Sequence, residues 1–269
     1  MNGRMATALC VLCLVSGCAA GFWFARMPLH EVDQDVIYQV STIDALLQGS
    51  LEGTMTYGEM KKHGDFGIAT FDRLDGEMIA FGGDFYQIKA DGKVVAVTDD
   101  MTTPFGTVTF FSQDYSFPVR HAANFSDFSR QVEEVLPSKN HLYAIQIRGE
   151  FPYVMTRSIP RQETPNARLV DAAANQSIFE FRQTRGTIVG FWTPDLVRGL
   201  NVPGFHLHFL TEDRTGGGHI LDFIVENATV EVDITPRFAM ALPESGSYTS
   251  ADLSGDLSHE LDVVEKGST

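Results

Sequence analysis

Short strand-like apolar runs broken by turn residues recur along this chain, some alternating apolar and polar at a spacing of two, and only a few stretches show the three-to-four spacing of a helix. Val36-Ile37-Tyr38-Gln39-Val40 predicts a strand, and Ser41-Thr42 ahead of Ile43-Asp44-Ala45-Leu46-Leu47 predicts a short helix with a polar cap. Ile68 to Phe71, Glu77 to Phe81, Phe85 to Ile88 and Val94 to Val97 form four strand-like runs. Asp75-Gly76, Gly82-Gly83-Asp84 and Asp91-Gly92 separate them, so the segment reads as an antiparallel meander. Phe128, Val132, Val135 and Leu136 recur at helical spacing before Pro137. Further strands are expected at Leu142 to Ile147, Thr187 to Phe191, Phe205 to Leu210, His219 to Val225 and Ala228 to Ile234. Thr164-Pro165 predicts a helix running through Ala172-Ala173-Ala174, and Thr193-Pro194 repeats the device before Asp195-Leu196-Val197-Arg198. The pattern predicts an α+β fold: two strand-rich halves of mixed or antiparallel sheet with few short helices. A boundary at Pro137-Ser138-Lys139-Asn140 would divide it into subdomains 36–137 and 138–269.

Composition sharpens this. A 43% hydrophobic content with 20 phenylalanines in 269 residues supports substantial cores. The net charge of −15 argues against nucleic acid, since phosphate binding needs clustered Lys and Arg. An acidic ligand would need a local cation against that field. Arg4, the apolar run Ala6 to Gly17 and the lipobox-like Leu14-Val15-Ser16-Gly17-Cys18 predict a signal segment over 1–18, with Cys18 lipidated, and a tether over 19–35. The expectation is an exported, membrane-anchored lipoprotein in the periplasm or at the cell surface. Cleavage near Ala20, giving a secreted form, or an uncleaved anchor extended by Phe22-Trp23-Phe24 are the alternatives. All three cysteines, Cys10, Cys13 and Cys18, fall in this segment, which leaves the body without thiolate ligands.

The candidate chemistry converges on Gly204-Phe205-His206-Leu207-His208-Phe209. In a strand His206 and His208 share one face, and Leu207 and Phe209 point to the other. The turn-like run Glu212-Asp213-Arg214-Thr215-Gly216-Gly217-Gly218 then leads into His219. A hairpin register pairing 208 with 219 would bring a third imidazole beside the first two. Three neutral nitrogen ligands with an open fourth position suit a catalytic zinc, whereas a lone pair of half-buried histidines is the plain alternative. Arg157, in the alternating run Tyr153 to Pro160, is either a guanidinium clamp for a carboxylate or an ordinary surface arginine. Glu77, just after Asp75-Gly76, could be aimed into a cleft by a tight turn, although such glutamates are mostly solvated. His206-x-His208 with Glu212 also fits half of a cupin metal motif. The glycine expected seven residues beyond that glutamate is replaced by His219, and no second motif follows. His30, His63, His121, His141 and His259 have no partner at ligand spacing.

Taken together, these segments resemble the alpha-acetolactate decarboxylase family from about Gln39 to the C-terminus. The resemblance is carried by Leu51-Glu52-Gly53, His63 to Phe71, Leu74 to Met78 and Asp84-Phe85-Tyr86. It continues through Tyr143-Ala144-Ile145, Thr156 to Gln162, Gly190 to Pro194, Gly204 to Phe209 and Gly217 to Leu221. It implies two sheet-based halves with the metal site between them, a homodimer, and Zn2+ held by His206, His208 and His219. It further implies Arg157 and Glu77 as site residues, Thr70 as a nearby hydroxyl donor, and a glutamate from a C-terminal tail that folds over the site. Glu265 in Val263 to Gly267 matches that glutamate, with Glu260 as the alternative. The implied reaction takes 2-acetolactate to acetoin, a metal chelating the keto and hydroxyl oxygens and stabilising an enediolate. On residues alone two other classes stay open: a cupin-like metal-dependent oxygenase or isomerase, and a non-catalytic lipoprotein that binds a metal or a hydroxy acid.

Overall fold

The computed structural model describes residues 35–266 apart from Pro165, so the expected signal segment 1–18 with Cys18, and all of the expected tether except Asp35, lie outside the described residues. The strands in chain order are β1 (Val36–Val40), β2 (Met55–Thr56), β3 (Phe66–Thr70), β4 (Glu77–Phe81), β5 (Asp84–Ile88), β6 (Val94–Ala96), β7 (Thr102–Thr103) and β8 (Gly106–Thr109). They continue as β9 (Tyr115–Ala122), β10 (Tyr143–Ser158), β11 (Ser177–Thr193), β12 (Gly204–Thr211), β13 (Gly217–Ile234) and β14 (Arg237–Ala241). Seven of them form one sheet in the order β14-β1-β8-β3-β4-β5-β6, with β14 parallel to β1 and the other neighbours antiparallel. In the second sheet β10, β11, β12 and β13 pair in turn and β13 pairs back to β10, so these four close into a ring with β9 outside β13. Register shifts in the β10–β13 ladder, between Gly149 and Glu150 and between Met155 and Thr156, give the long strands the bends a ring requires. β2 and β7 form a small ribbon.

Alternation decides which residues meet between the sheets. Ile68 of β3 and Ile79 of β4 join Val189, Phe191 and Leu210 of the second sheet in one buried cluster. Met78 and Ala80 face the opposite side, against Tyr57, Met60 and Phe85. On β12, Leu207 and Phe209 enter the cluster inside the ring with Phe151 and Phe223, while Leu210 faces the first sheet. Because residues two apart share a face, His206 and His208 look the same way as Leu210, toward the space between the sheets. The β4–β5 turn needs left-handed backbone at both central positions, and Gly82 (φ 61°) and Gly83 (φ 82°) supply it.

Several elements differ from the pattern-based expectation. The helix expected from Thr164-Pro165 is Leu169–Ala173, preceded by Arg168 with no side-chain cap, because its buried residues Leu169, Ala172 and Ala173 set its length rather than the proline. The strands expected at 219–225 and 228–234 are one strand, β13, and β11 begins ten residues before Thr187. The boundary expected at Pro137 does not coincide with the sheets: β9 and the helix Phe125–Val135 already belong to the second one, and β14 returns from the C-terminal half to the first. Both sheets lie within one compact unit, 34–269. The helix Ser258–Lys266 buries Leu261 and Val264, with Leu257 just ahead of it, against Ile43, Leu46 and Leu169, and so covers one end of the inter-sheet space.

Candidate metal centre

One row of side chains crosses three strands. Arg157 on β10 pairs with His219 on β13, and His219 pairs with His208 on β12, so all three project from the same face. The 208-to-219 register is the one the hairpin argument required. His206 lies two residues from His208 on that face, and the three ring centroids stand 5.1 to 5.4 Å apart. One nitrogen from each ring lies within 4.8 Å of the others, close enough to share a cation. Gly217 makes the close strand approach possible, since a Cβ there would fall 2.2 Å from the Phe209 carbonyl oxygen.

The donor set fits a metal. His208 donates from Nδ1 to the Met78 carbonyl of β4 at 2.8 Å, which fixes the neutral tautomer with its lone pair on Nε2. That Nε2 is buried and has no hydrogen-bond partner among the described residues, an orphaned acceptor that a cation would satisfy. Burial first, then the nearby Arg157 charge, pushes His206 down to about 3, and burial holds His208 and His219 well below the usual imidazole range. All three stay neutral at physiological pH, the form a metal requires. A set of imidazoles without thiolate suits zinc and several other first-row divalent ions.

The first sheet supplies the facing wall. Thr70 and Glu77 are direct partners across β3 and β4, and both face the histidines. Thr70 Oγ donates to the Gly76 carbonyl at 2.9 Å, so its proton fastens the turn and only its lone pairs remain for the cavity. Ahead of that turn Arg73 (φ 57°) and Leu74 (φ 60°) occupy left-handed backbone, an unfavourable conformation for side-chain-bearing residues. Arg161, paired with Asp72 at 2.7 Å, and Gln162, whose N–H donates to the Arg73 carbonyl at 2.8 Å, hold it in place. This strained turn delivers Glu77, whose Oε2 lies 3.8 Å from His208 Nε2.

Glu265, on the C-terminal helix, closes the fourth side. Its Oε2 stands 3.6 Å from His219 Nε2 and 3.8 Å from His206 Nε2, and its Oε1 stands 3.6 Å from Arg157 Nη2. Glu260, the alternative match, instead pairs with Arg168 at the surface. Burial pushes both Glu77 and Glu265 up to about 7, opposed in each case by Arg157. Arg157 is itself 4% exposed, which removes the surface-arginine reading, and its Nη1 donates to Gln176 Oε1 at 3.3 Å. Gln176 has no local signal in the sequence, because its contact with Arg157 depends on how β10 and β11 pair. Glu212 of the half cupin motif sits in the exposed turn after β12, where it pairs with Arg185 at 3.3 Å and takes no part in the site.

These groups enclose a cavity of about 40 Å3 whose remaining walls are apolar, among them Ile43, Leu46, Leu74, Phe105 and Leu169. A larger hollow of about 740 Å3 lies outside it, lined by Phe125, Phe205, Asp222 and the C-terminal helix, and shares only Glu265 with the inner one. The inner space therefore combines three neutral nitrogens, one cation and two acids that hold protons near neutrality, in dry surroundings where electrostatic effects are strong.

Residues 37–255 match the family model described as alpha-acetolactate decarboxylase. The chain is 50% identical over 232 residues to the alpha-acetolactate decarboxylase of Methanosarcina mazei, covering 86% of this chain and 81% of that one. It is 45% identical over 238 residues to that of Methylococcus capsulatus, covering 88% and 91%. Its fold superposes on the crystal structure of alpha-acetolactate decarboxylase from Bacillus subtilis strain 168 with a TM-score of 0.83 at 39% identity, covering 87% of this chain and 100% of that one. With sequence, fold and site chemistry in accord, this chain belongs to the alpha-acetolactate decarboxylase family of carboxy-lyases.

Proposed function

We propose that this chain converts 2-acetolactate to acetoin and carbon dioxide with a zinc ion held by His206, His208 and His219. The observation that carries the metal is the buried, partnerless Nε2 of His208 beside two other neutral imidazoles. When bound there, the ion supplies Lewis acidity toward the keto and hydroxyl oxygens and a sink for the charge that decarboxylation leaves. Arg157 binds the carboxylate and turns its bond to carbon toward the ketone π system, so that positioning rather than tight ground-state binding does the catalysis. The apolar walls exclude water, so the enediolate left by carbon dioxide loss meets a protein acid first. Glu77 reaches the histidines from the first sheet and Glu265 from the C-terminal helix, burial raises both carboxyls, and one of them donates the proton to carbon on a single face. Thr70 offers acceptor lone pairs to a substrate hydroxyl.

The test is to incubate purified protein with acetolactate and follow acetoin before chelation, after it, and after restoring single metals. Activity indifferent to a chelator that strips all bound metal excludes the scheme. Acetoin formation without oxygen consumption separates it from a metal-dependent oxygenase.

The segment Leu14 to Cys18 supports export with a lipid on Cys18, which acyl-chain labelling of the full chain checks against a Cys18→Ala variant. The family resemblance supports a homodimer, which sedimentation of the purified chain tests.

A further inference from the structure

We propose that Gln176 is a positioning residue: by engaging Nη1 of Arg157, it leaves the opposite Nε/Nη2 edge of the guanidinium to receive the carboxylate that the substrate sheds. The proposal rests on the decarboxylase reading above and adds to it a residue and a docking geometry. In a planar guanidinium the Nε–H and one Nη2–H point in parallel, a two-pronged fork that matches a carboxylate, and Nη1 lies outside that fork. Here Nη1 donates to Gln176 Oε1 at 3.3 Å. Nε is buried and has no hydrogen-bond partner among the described residues, an expensive condition unless a ligand completes it. Nη2 faces Glu265 Oε1 at 3.6 Å, too long for a hydrogen bond and on one prong only. The protein has satisfied the amino group that the fork does not need and left the fork open.

Gln176 is well placed to set that orientation. Its backbone N–H donates to the Ala173 carbonyl at 3.1 Å, at the end of the helix Leu169–Ala173. Two residues later Ile178 sits directly opposite Arg157 in the β10–β11 ladder. The distance from the Gln176 amide to the guanidinium is thus fixed by a helix end and a strand register together. Without the amide, the guanidinium can rotate about its last side-chain bonds while keeping its charge in the cavity. The carboxylate would still be held, but its bond to carbon would no longer be aligned with the ketone.

The experiment compares Gln176→Leu, which removes the acceptor, with Gln176→Glu, which keeps an oxygen in place, and repeats Gln176→Leu in an Arg157→Lys background that has no fork. We expect Gln176→Leu to lower kcat on acetolactate roughly 10- to 100-fold, with KM changed by less than about threefold. Inhibition by acetoin, which lacks the carboxylate, stays at the parent level. Gln176→Glu retains kcat within about fivefold. In the Arg157→Lys background Gln176→Leu costs less than about twofold. Should the leucine variant not fold, Gln176→Ala is read out in the same way. Parent kcat in the acceptor-less variant, an equal loss in both backgrounds, acetoin inhibition weakened in parallel, or a Glu variant as impaired as Leu each overturns the proposal. A parent protein that makes no acetoin overturns the decarboxylase reading and this proposal with it, whereas an active parent with an indifferent Gln176→Leu overturns this proposal alone.

Discussion

Glu77 and Glu265 in the cavity and Asp233 at the seam between the sheets all have carboxyls pushed up to about 7 by burial, yet their surroundings differ in kind. In the cavity the two acids share Arg157, face neutral ring nitrogens and border open space. At the seam Asp233 Oδ2 accepts from the Ser112 backbone N–H at 3.0 Å, Oδ1 has no hydrogen-bond partner among the described residues, and the charges acting on it, Asp114, Asp35 and Asp65, are all acidic. A carboxyl held neutral by burial therefore does not mark a reactive site. What marks one is the company of a buried cation, vacant ligand atoms and room for a reactant.

Removing the ligands breaks that contrast most completely. His208→Ala is expected to lose both bound metal and acetoin formation, since it removes the orphaned Nε2 and the bond to Met78 together; elemental assay and turnover measured on one preparation check it. Next in size are the acids. Replacing the true proton donor, Glu77→Gln or Glu265→Gln, should cost roughly 10²- to 10⁴-fold in kcat and scramble the handedness of the acetoin, which chiral chromatography reads; two variants with parent rate and handedness would exclude proton donation by either. The donor must hold its proton, so kcat should fall as pH rises past the donor's pKa, which burial pushes above the ordinary carboxylate range and a bound cation would draw back down. Arg157→Ala should keep the metal and lose roughly 100-fold in kcat, and retention of the parent rate would remove the arginine from the mechanism.

The smallest effect tests the seam. Asp233 releases its proton at about 7 when folded and at the ordinary 3.8 when unfolded. The unfolded chain ionises first, so stability is fully present below about 4 and is lost as pH rises toward 7. Asp233→Asn should leave the melting temperature unchanged at pH 4, raise it by a few degrees at pH 8, and leave kcat alone. An equal shift at both pH values would mean that charge is not the cause.

Much of this was legible in residue order, for reasons that also define where legibility ends. The histidine fork and its 208-to-219 register were readable because a tight hairpin makes distant geometry local. The meander from β3 to β6 was readable for the same reason, each turn carrying its own glycine or aspartate. β9 was not, because an edge strand with Pro118 and alternating exposed residues carries little apolar signal. β14 is a short edge strand whose pairing with β1 joins opposite ends of the chain. The C-terminal helix was read only as a tail, because the apolar residues that anchor it, Leu257, Leu261 and Val264, are few and nothing local says what they cover. Arg157 could be placed on a strand, while its row with His219 and His208, and its hold on Gln176, follow only from long-range pairing.

The site draws on Thr70 near one end of the chain and Glu265 near the other, and the first sheet is finished by Arg237–Ala241. During synthesis Arg237–Ala241 and Glu265 leave the ribosome after Thr70 and the three histidines. A nascent chain therefore holds its imidazoles before it holds the acid that completes their surroundings, and the site is whole only once the C-terminal helix has emerged.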